Sequence, residues 1–513
     1  MAETKREIER KYEATGDDVR LPDLTRVRGV AGVVDKGVVE LDAVYYDTPD
    51  LRLAVDSLTL RRRTGGDDAG WHLKFPVATG IRDEIRAPLS PEVPRTLTAL
   101  LRSRVRDARL DPVVRLTSSR DVRQLVDGDG TLLAEVSVDA VRAVRLGPGK
   151  AGATAAWTEV EVELADEVDP DLLDRVEKRL RKAGLRPSES ASKLARALAE
   201  TAPDVPGLPE PAPAKTLDEH TAGGHVLGYL RAQRDALVAH DPAVRRDLPD
   251  SVHQMRVATR RLRSAFKSYR KVLDRTVTDP LGEELKWLAA ELGVDRDQEV
   301  LTARLQNHLA SLPRPLVLGP VRGRLRIWSV ARRSGSRRKT LAVLDSRRYL
   351  VLLDTLDALL ESPPLRPAAR RPVTEVLPKA VIKDYHRLAG RMAHALELDS
   401  GEARDVAMHE ARKAAKRARY AAEAAKPALG APAKKFAKKM KSVQTVLGDH
   451  QDSVVAREAL RGLAVQAHLA GESAFTWGLL YGREAAAAAD RERELPQAWH
   501  KASRPKLRER LRD

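Results

Sequence analysis

The sequence predicts a chain of two unlike parts: an N-terminal antiparallel β part and a C-terminal all-α part built from a duplicated helical bundle. Three observations predict this. Before residue 201, segments alternate apolar and charged side chains with the two-residue period of strands. After residue 217, Ala, Leu and Arg recur at helical spacing with almost no strand signal. Between the two, "PDVPGLPEPAP" (203–213) carries five prolines, so residues 202–216 read as an extended, semi-rigid linker. With 513 residues the chain has material for more than one core.

The first strand, "EIERK", puts Glu7, Glu9 and Lys11 on one face and Ile8, Arg10 and Tyr12 on the other. The pattern returns in "VVELDAVYYD" (38–47), then in "SLTLRRR" (57–63), where Arg61 and Arg63 share a face. In "GWHLKFP" (70–76), His72 and Lys74 alternate with Trp71, Leu73 and Phe75. Arg82, Glu84 and Arg86 share a face, as do Glu135 and Asp139 in "LLAEVSVDAV" (132–141). In "WTEVEVEL" (157–164), Glu159, Glu161 and Glu163 alternate with Val160, Val162 and Leu164. One helix is expected over roughly 169–184. Any single charged strand face is usually wet. Several faces carrying both signs in quantity instead suggest a barrel that is apolar outside and charged inside, since like charges on neighbouring strands repel unless a ligand or metal separates them. Acids there suit hard divalent cations and bases suit phosphates.

Charge is divided unevenly. Residues 1–200 sum to −2 and residues 201–513 to +19, so a polyanionic partner is expected for the second part. The absence of cysteine excludes disulfides and thiolate metal sites. No apolar run reaches membrane-spanning length, and "MAETKREIERKYE" lacks a signal-peptide core, so a cytoplasmic protein is expected.

The helical part repeats itself. His253, Arg256, Arg260, Arg261 and Arg263 return as His409, Arg412, Lys416, Arg417 and Arg419, all offset by 156. Tyr229 and Arg231 return as Tyr385 and Arg387, and "KWLAAELGVDRDQEV" (286–300) as "KSVQTVLGDHQDSVV" (441–455). A second proline-rich break (362–378) separates repeats of about 217–361 and 376–513. So long a period indicates a duplicated bundle rather than a short-repeat solenoid.

At 100° per residue, His253, Arg256, Arg260, Arg263 and Lys267 fall within about 80° of arc. Met255, Thr259, Leu262, Phe266 and Tyr269 form the opposite, buried stripe. His409, Arg412, Lys413, Lys416 and Arg419 repeat the cationic stripe over Ala411, Ala415, Ala418 and Ala422, and Arg261 falls off it. A basic face is ordinarily just solvated. This one has no interleaved acid to relieve repulsion and occurs twice, which fits regular occupation by a polyanion. The histidines suit packing or capping as well as ligand contact. Asp297 and Asp452, after the two Leu-Gly pairs, suit metal ligation, capping or anchoring of the basic side chains. Aromatics are 4% of the chain and none interrupts the stripe on the first helix, so base stacking is not indicated and bare phosphate recognition fits better.

"EIERK" matches the ExExK signature of CYTH domains, the triphosphate tunnel metalloenzymes. "YYDTPDLRLAVDSLTLRRR", "HLKF", "RDEIR", "LAEVSVDAV", "TEVEVEL" and "SASKLARAL" follow in family order across about 195 residues. The resemblance implies an eight-stranded antiparallel tunnel that binds triphosphate with Mg²⁺ or Mn²⁺. By motif position, Lys11, Arg61, Arg63, Lys74, Arg86, Arg120 and Lys193 would contact phosphates, with Arg115 and Arg123 near Arg120. Glu7, Glu9, Asp139, Glu159, Glu161 and Glu163 would supply metal ligands, and Lys11, Lys74 and Glu161 would serve catalysis. Related members cyclise ATP or hydrolyse thiamine triphosphate, but no adenine or thiamine pocket is legible here. The duplicated HxxRxxxRRxR-like stripe with its LG…D partner resembles the CHAD domain, a helical module that binds inorganic polyphosphate, over about 217–513. In the second repeat Lys416 replaces an arginine, so a looser grip is expected there. Together the resemblances imply a metal-dependent inorganic triphosphatase joined to a polyphosphate binder, with possible association with polyphosphate granules. A non-catalytic polyphosphate scaffold and a nucleic-acid binder are the alternatives.

Overall fold

The computed structural model describes residues 3–13, 19–146, 152–201, 218 and 220–512. The linker expected over 202–216 lies outside the described residues. The chain divides into two compact units, Met1–Pro213 and Ala214–Asp513, each with hydrophobic cores of its own.

The first unit is a closed barrel. Its strands are β1 (Glu3–Glu13), β2 (Gly32–Asp47), β3 (Thr59–Thr64), β4 (Gly70–Ala78), β5 (Ile81–Ala87), β6 (Asp111–Val126), β7 (Leu132–Arg145) and β8 (Thr154–Leu164), and the two-residue β9 (Arg186–Pro187) lies against β1. The order is β5-β4-β3-β2-β6-β7-β8-β1, and β1 returns to pair with β5, so eight antiparallel strands close on themselves. β1 does this by dividing its length. Glu3–Ile8 pairs with β5 and Glu9–Glu13 pairs with β8. Closure leaves no exposed sheet edge and gives every strand an inside and an outside.

Apolar residues take the outside. Leu60, Trp71, Leu73 and Ile85 are buried under α2 (Arg95–Val105), after the single-turn α1 (Arg52–Val55). Tyr12, Val136, Val160 and Val162 are buried under α3 (Asp171–Lys182), and Val114, Val141 and Ala143 under α4 (Lys193–Glu200). The charged residues of the same strands are thereby turned inward, as the alternation predicts. β6 is the strand whose sequence announces it least, because Pro112, Ser118, Ser119 and Asp121 break the apolar rhythm.

The second unit is helical: α5 (Ala222–Arg245), α6 (Ser251–Ser268), α7 (Arg275–Glu291), α8 (Gly293–Ala310), α9 (Val321–Leu344), α10 (Arg347–Glu361), α11 (Val373–Glu397), α12 (Glu402–Leu469), α13 (Phe475–Ala502) and α14 (Lys506–Glu509). α12 is two helices in series. Gly430, at φ +58° and ψ −134°, interrupts it, a conformation glycine adopts without steric cost. The interruption falls where the first repeat has its turn between α6 and α7. The break between repeats is shorter than the prolines suggest. α11 starts at Val373 after Pro372, and Pro378 lies within it. Pro378 is the sixth residue of α11, so it gives up the N–H bond that would otherwise reach the Thr374 carbonyl.

α6 and α12 carry the two cationic stripes, and they pack together. The predicted stripe Met255, Leu262, Phe266 and Tyr269 is buried in one core with Ala411, Ala415, Ala418 and Ala422. Alanines on α12 let the helices approach closely, which brings their basic faces within reach of each other.

Candidate functional site

The barrel encloses a cavity of about 410 Å³. Its wall is divided by charge. β1, β7 and β8 contribute Glu7, Glu9, Glu135, Glu161 and Glu163, while β3 to β6 contribute Arg61, Arg63, Lys74, Arg82, Arg86 and Arg120. Lys5 and Lys11 from β1, Lys36 from β2, Asp67 and Asp68 after β3, Glu84 from β5 and Lys193 from the start of α4 also line it, so each side carries a minority of the opposite sign. Ser192 caps α4 by accepting from the Ala195 N–H, which fixes where Lys193 enters. Every phosphate-contact residue expected from the sequence lines this cavity. Arg115 and Arg123 do not: they pair with Asp42 and Asp121.

On the basic side, Lys74 Nζ lies 2.6 Å from Glu7 Oε2 and 3.5 Å from Glu84 Oε1. Glu84 is fully buried. It also holds His72 Nδ1 at 2.8 Å, pairs with Arg86, and lies 3.8 Å from Arg61. Burial alone would raise the Glu84 pKa, but His72, Lys74 and Arg61 outweigh it and hold the group well below the usual carboxylate range. Glu84 therefore stands as a fixed anion beneath three cations. It was not among the expected site residues, although its shared face with Arg82 and Arg86 carried the signal. Lys5 was legible in the same way, two positions before Glu7. Arg63 is paired with Asp68, yet burial and the neighbouring Arg61 and Arg120 hold it below its ordinary value. An inward surplus of positive charge persists there.

On the acidic side, Arg120 donates to Asp139 Oδ1 from Nε at 2.7 Å, and from Nη2 to Asp139 Oδ2 at 2.8 Å and Glu161 Oε2 at 2.9 Å. Lys193 Nζ lies 3.0 Å from Asp139, 2.6 Å from Glu159 and 2.6 Å from Glu161. Burial opposes its charge, but Asp139, Glu161 and Glu159 raise its pKa overall. Those carboxylates also meet the geometry of a cation site, with one oxygen from each within 4.8 Å of the others. An all-oxygen, buried donor set suits a hard divalent ion. The six expected metal ligands thus divide. Asp139, Glu159 and Glu161 converge around Lys193. Glu7, Glu9 and Glu163 each face a lysine instead: Lys74, Lys11 at 3.5 Å and Lys5 at 2.6 Å. Among the lining residues Tyr45 is the one aromatic, and its hydroxyl accepts from Arg61 at 3.4 Å. Such a lining offers no stacking slot for a base.

In the helical unit the expected cations separate into groups. Arg256, Arg260, Arg412 and Lys416 converge. Burial, Arg412, Arg260 and Arg256 push the Lys416 ammonium down to about 7, and Asp452 offsets only part of this. Arg263 and Lys267 continue along α6 toward Arg417. Lys413 is exposed and pairs with Glu410 at 2.7 Å. Arg419 stands apart, 3.3 Å from Glu423. The basic faces therefore do have acid partners, on neighbouring helices and at Glu410 and Glu423. His409 Nδ1 donates to Gln451 Oε1 at 2.6 Å, and His253 is half-buried. Asp297 and Asp452 are anchors. Arg256 lies 2.9 Å from Asp297, and Arg412 lies 3.7 Å from Asp452. The Leu-Gly pairs explain themselves here: a Cβ on Gly293 would lie 3.1 Å from Arg256 Nη2, and one on Gly448 3.4 Å from Arg412 Nη2. Each arginine lies against bare backbone. A further cluster, Asp405, His450 and Glu492, is already balanced by Arg457 and Arg404.

The CYTH domain model matches residues 5–198 and the CHAD domain model residues 228–461. The chain is a CYTH–CHAD protein. An uncharacterized protein of Mycobacterium tuberculosis, Rv2226, is 39% identical over 512 residues, covering 96% of each chain. PptA from Streptomyces chartreusis is 22% identical with a TM-score of 0.47, covering 55% of this chain and 99% of its own. The CHAD domain from the plant Ricinus communis is 27% identical with a TM-score of 0.41, covering 56% and 95%. The CYTH family includes triphosphatases, adenylyl cyclases and related metal-dependent enzymes. Among the described residues no helix is long and apolar enough to cross a membrane.

Proposed function

We propose that the CYTH tunnel hydrolyses inorganic triphosphate and that the CHAD unit binds inorganic polyphosphate. The observation that carries the first half is one barrel cavity in which the carboxylates of β1, β7 and β8 face the guanidiniums and ammonium of β3 to β6, with Tyr45 the one aromatic in its lining. Arg61, Lys74 and Arg86, already positioned by Glu84, hold the phosphate oxygens together with Arg63, positioned by Asp68, so little reorganisation accompanies reaction. Lys11 and Arg120, beside Glu161, meet the phosphates from the opposite side. Asp139, Glu159 and Glu161 would hold a Mg²⁺ or Mn²⁺ ion in place of the Lys193 ammonium. When bound, that ion neutralises phosphate charge and lowers the pKa of a water. Glu161 orients the water that attacks the terminal phosphorus, and the shorter phosphate leaves. The CHAD half rests on the convergence of two cationic stripes around Lys416. This reading accords with a cytoplasmic protein associated with polyphosphate granules.

Phosphate release from triphosphate with Mg²⁺ or Mn²⁺ is the test. Wild type should turn over, and Lys74→Ala and Glu161→Gln should each lose about a hundredfold or more in kcat. No release above those variants would sink the enzyme. The Lys193 ammonium among three carboxylates favours a second reading, in which the tunnel holds chain ends without turnover. Triphosphate binding without release would support that reading.

A further inference from the structure

The two cationic stripes match at four positions and differ at the fifth. His253, Arg256, Arg260 and Arg263 stand where α12 has His409, Arg412, Lys416 and Arg419, but Lys267 stands where α12 has Glu423. The surroundings of these two residues differ as well. Lys267 is exposed, and the carboxylate near it, Glu283, is paired with Lys286 at 2.9 Å. Burial, Arg263 and Arg417 hold its ammonium below the ordinary value. Arg417 donates to the Lys267 carbonyl at 2.9 Å and pairs with Asp384 at 2.8 Å, and it adjoins Arg270, which lies with Lys271 beside Lys383. Asp384 answers one of these cations, and Arg270, Lys271 and Lys383 leave positive charge in surplus past this end.

At the other end it stops. Glu423 accepts from Arg261 Nη2 at 3.2 Å and lies 3.3 Å from Arg419 Nε. Both guanidiniums lie over the Tyr420 ring, at 5.8 and 4.6 Å from its centroid. Arg419 is thus neutralised within the fold, and the stripe ends on a carboxylate beside an aromatic ring. Lys267 and Glu423 share no partner, so they mark separate ends.

We propose that the CHAD site is one-ended: a phosphate chain held by Arg256, Arg260, Arg412 and Lys416 runs out past Lys267 and is stopped at Glu423. This rests on the polyphosphate reading above. Glu423 then determines specificity by denying a long chain the cations Arg419 and Arg261.

Binding of long-chain polyphosphate and of triphosphate to the full-length protein, without divalent cation, tests it. Glu423→Gln keeps the hydrogen-bonding shape and removes the charge. It should tighten long-chain binding by about threefold to tenfold and steepen the salt dependence by roughly 0.7 per cation freed. Lys267→Gln, on an exposed position that leaves the fold intact, should weaken long-chain binding about threefold and flatten the salt slope. Triphosphate affinity, set by the unchanged tunnel, should stay the same in both. An unchanged or weakened Glu423→Gln, or an unchanged Lys267→Gln, overturns the one-ended site. If wild type binds no long-chain polyphosphate, the polyphosphate reading falls and the one-ended site falls with it.

Discussion

Lys416 is a lysine held far below its ordinary range by its surroundings. Its folded-state pKa is about 7 against an ordinary 10.5, through burial and then Arg412, Arg260 and Arg256. Below pH 7 the ammonium is charged in folded and unfolded chains alike, and the folded one bears the repulsion. Between about 7 and 10.5 only the unfolded chain keeps the proton, so stability rises with pH across that window. A bound polyanion favours the charged form. Binding therefore takes up a proton in the same window, and polyphosphate affinity should fall as pH rises from 7 to 9. Lys416→Arg should flatten that decline, and calorimetry in buffers of different ionisation heat should lose the proton uptake. An unaltered pH profile would remove Lys416 from the site. Lys193 makes the converse case. Lys193→Ala should tighten Mn²⁺ binding, measured by titration calorimetry, because three carboxylates lose their internal cation, while triphosphate binding weakens. Loss of both would mean that the lysine only holds the fold. Lys193 was expected among the phosphate contacts, but its place between three carboxylates was not legible in the sequence, because Asp139 on β7 and Glu159 and Glu161 on β8 reach it through strand pairing and the packing of α4 on those strands, not through local spacing.

At the scale of elements, the strands that alternate cleanly were readable and those that do not were not. β1 and β8 declare their inward faces through Glu7, Glu9 and Glu161. β6 hides behind Pro112 and its serines, although it delivers Arg120. The stripe on α6 was likewise readable as geometry, and Asp297 and Asp452 were readable among its anchors. Glu423 was not, since it lies just beyond the repeated motif. The Leu-Gly pairs show why a motif can be visible before its reason is. Gly293→Ala would place a methyl 3.1 Å from Arg256 Nη2 and displace the guanidinium. It should weaken polyphosphate binding about threefold to tenfold, with a Lys267-like loss of salt dependence. Gly448→Ala, at 3.4 Å from Arg412 and within a continuous helix, should weaken it less. It should also raise stability by about 0.5–1 kcal/mol, since alanine favours the helix over glycine. A gain in Tm with a loss of affinity would separate the packing role of that glycine from any role in folding.

For the whole molecule, the decisive facts are two cores and two kinds of charge. The barrel covers its apolar outside with its own helices, and the helical unit buries Leu262, Phe266 and Tyr269 against Ala415 and Ala418 of its second repeat. Neither needs the other to bury its hydrophobic surface. Expressed separately as 1–213 and 214–513, each should therefore unfold cooperatively by denaturant titration. The first piece, at −4, should keep triphosphate turnover with little salt dependence of long-chain binding. The second, at +21, should keep long-chain binding with a steep salt dependence and show no turnover. Under the proposed function, joining them would raise the local concentration of chain at the tunnel and leave the chemistry of each unchanged. Full-length protein should accordingly release phosphate from long chains faster than an equimolar mixture of the separated parts, while both release it from triphosphate at equal rates. Equal rates on long chains as well would show that the CHAD unit serves retention of polyphosphate rather than its delivery.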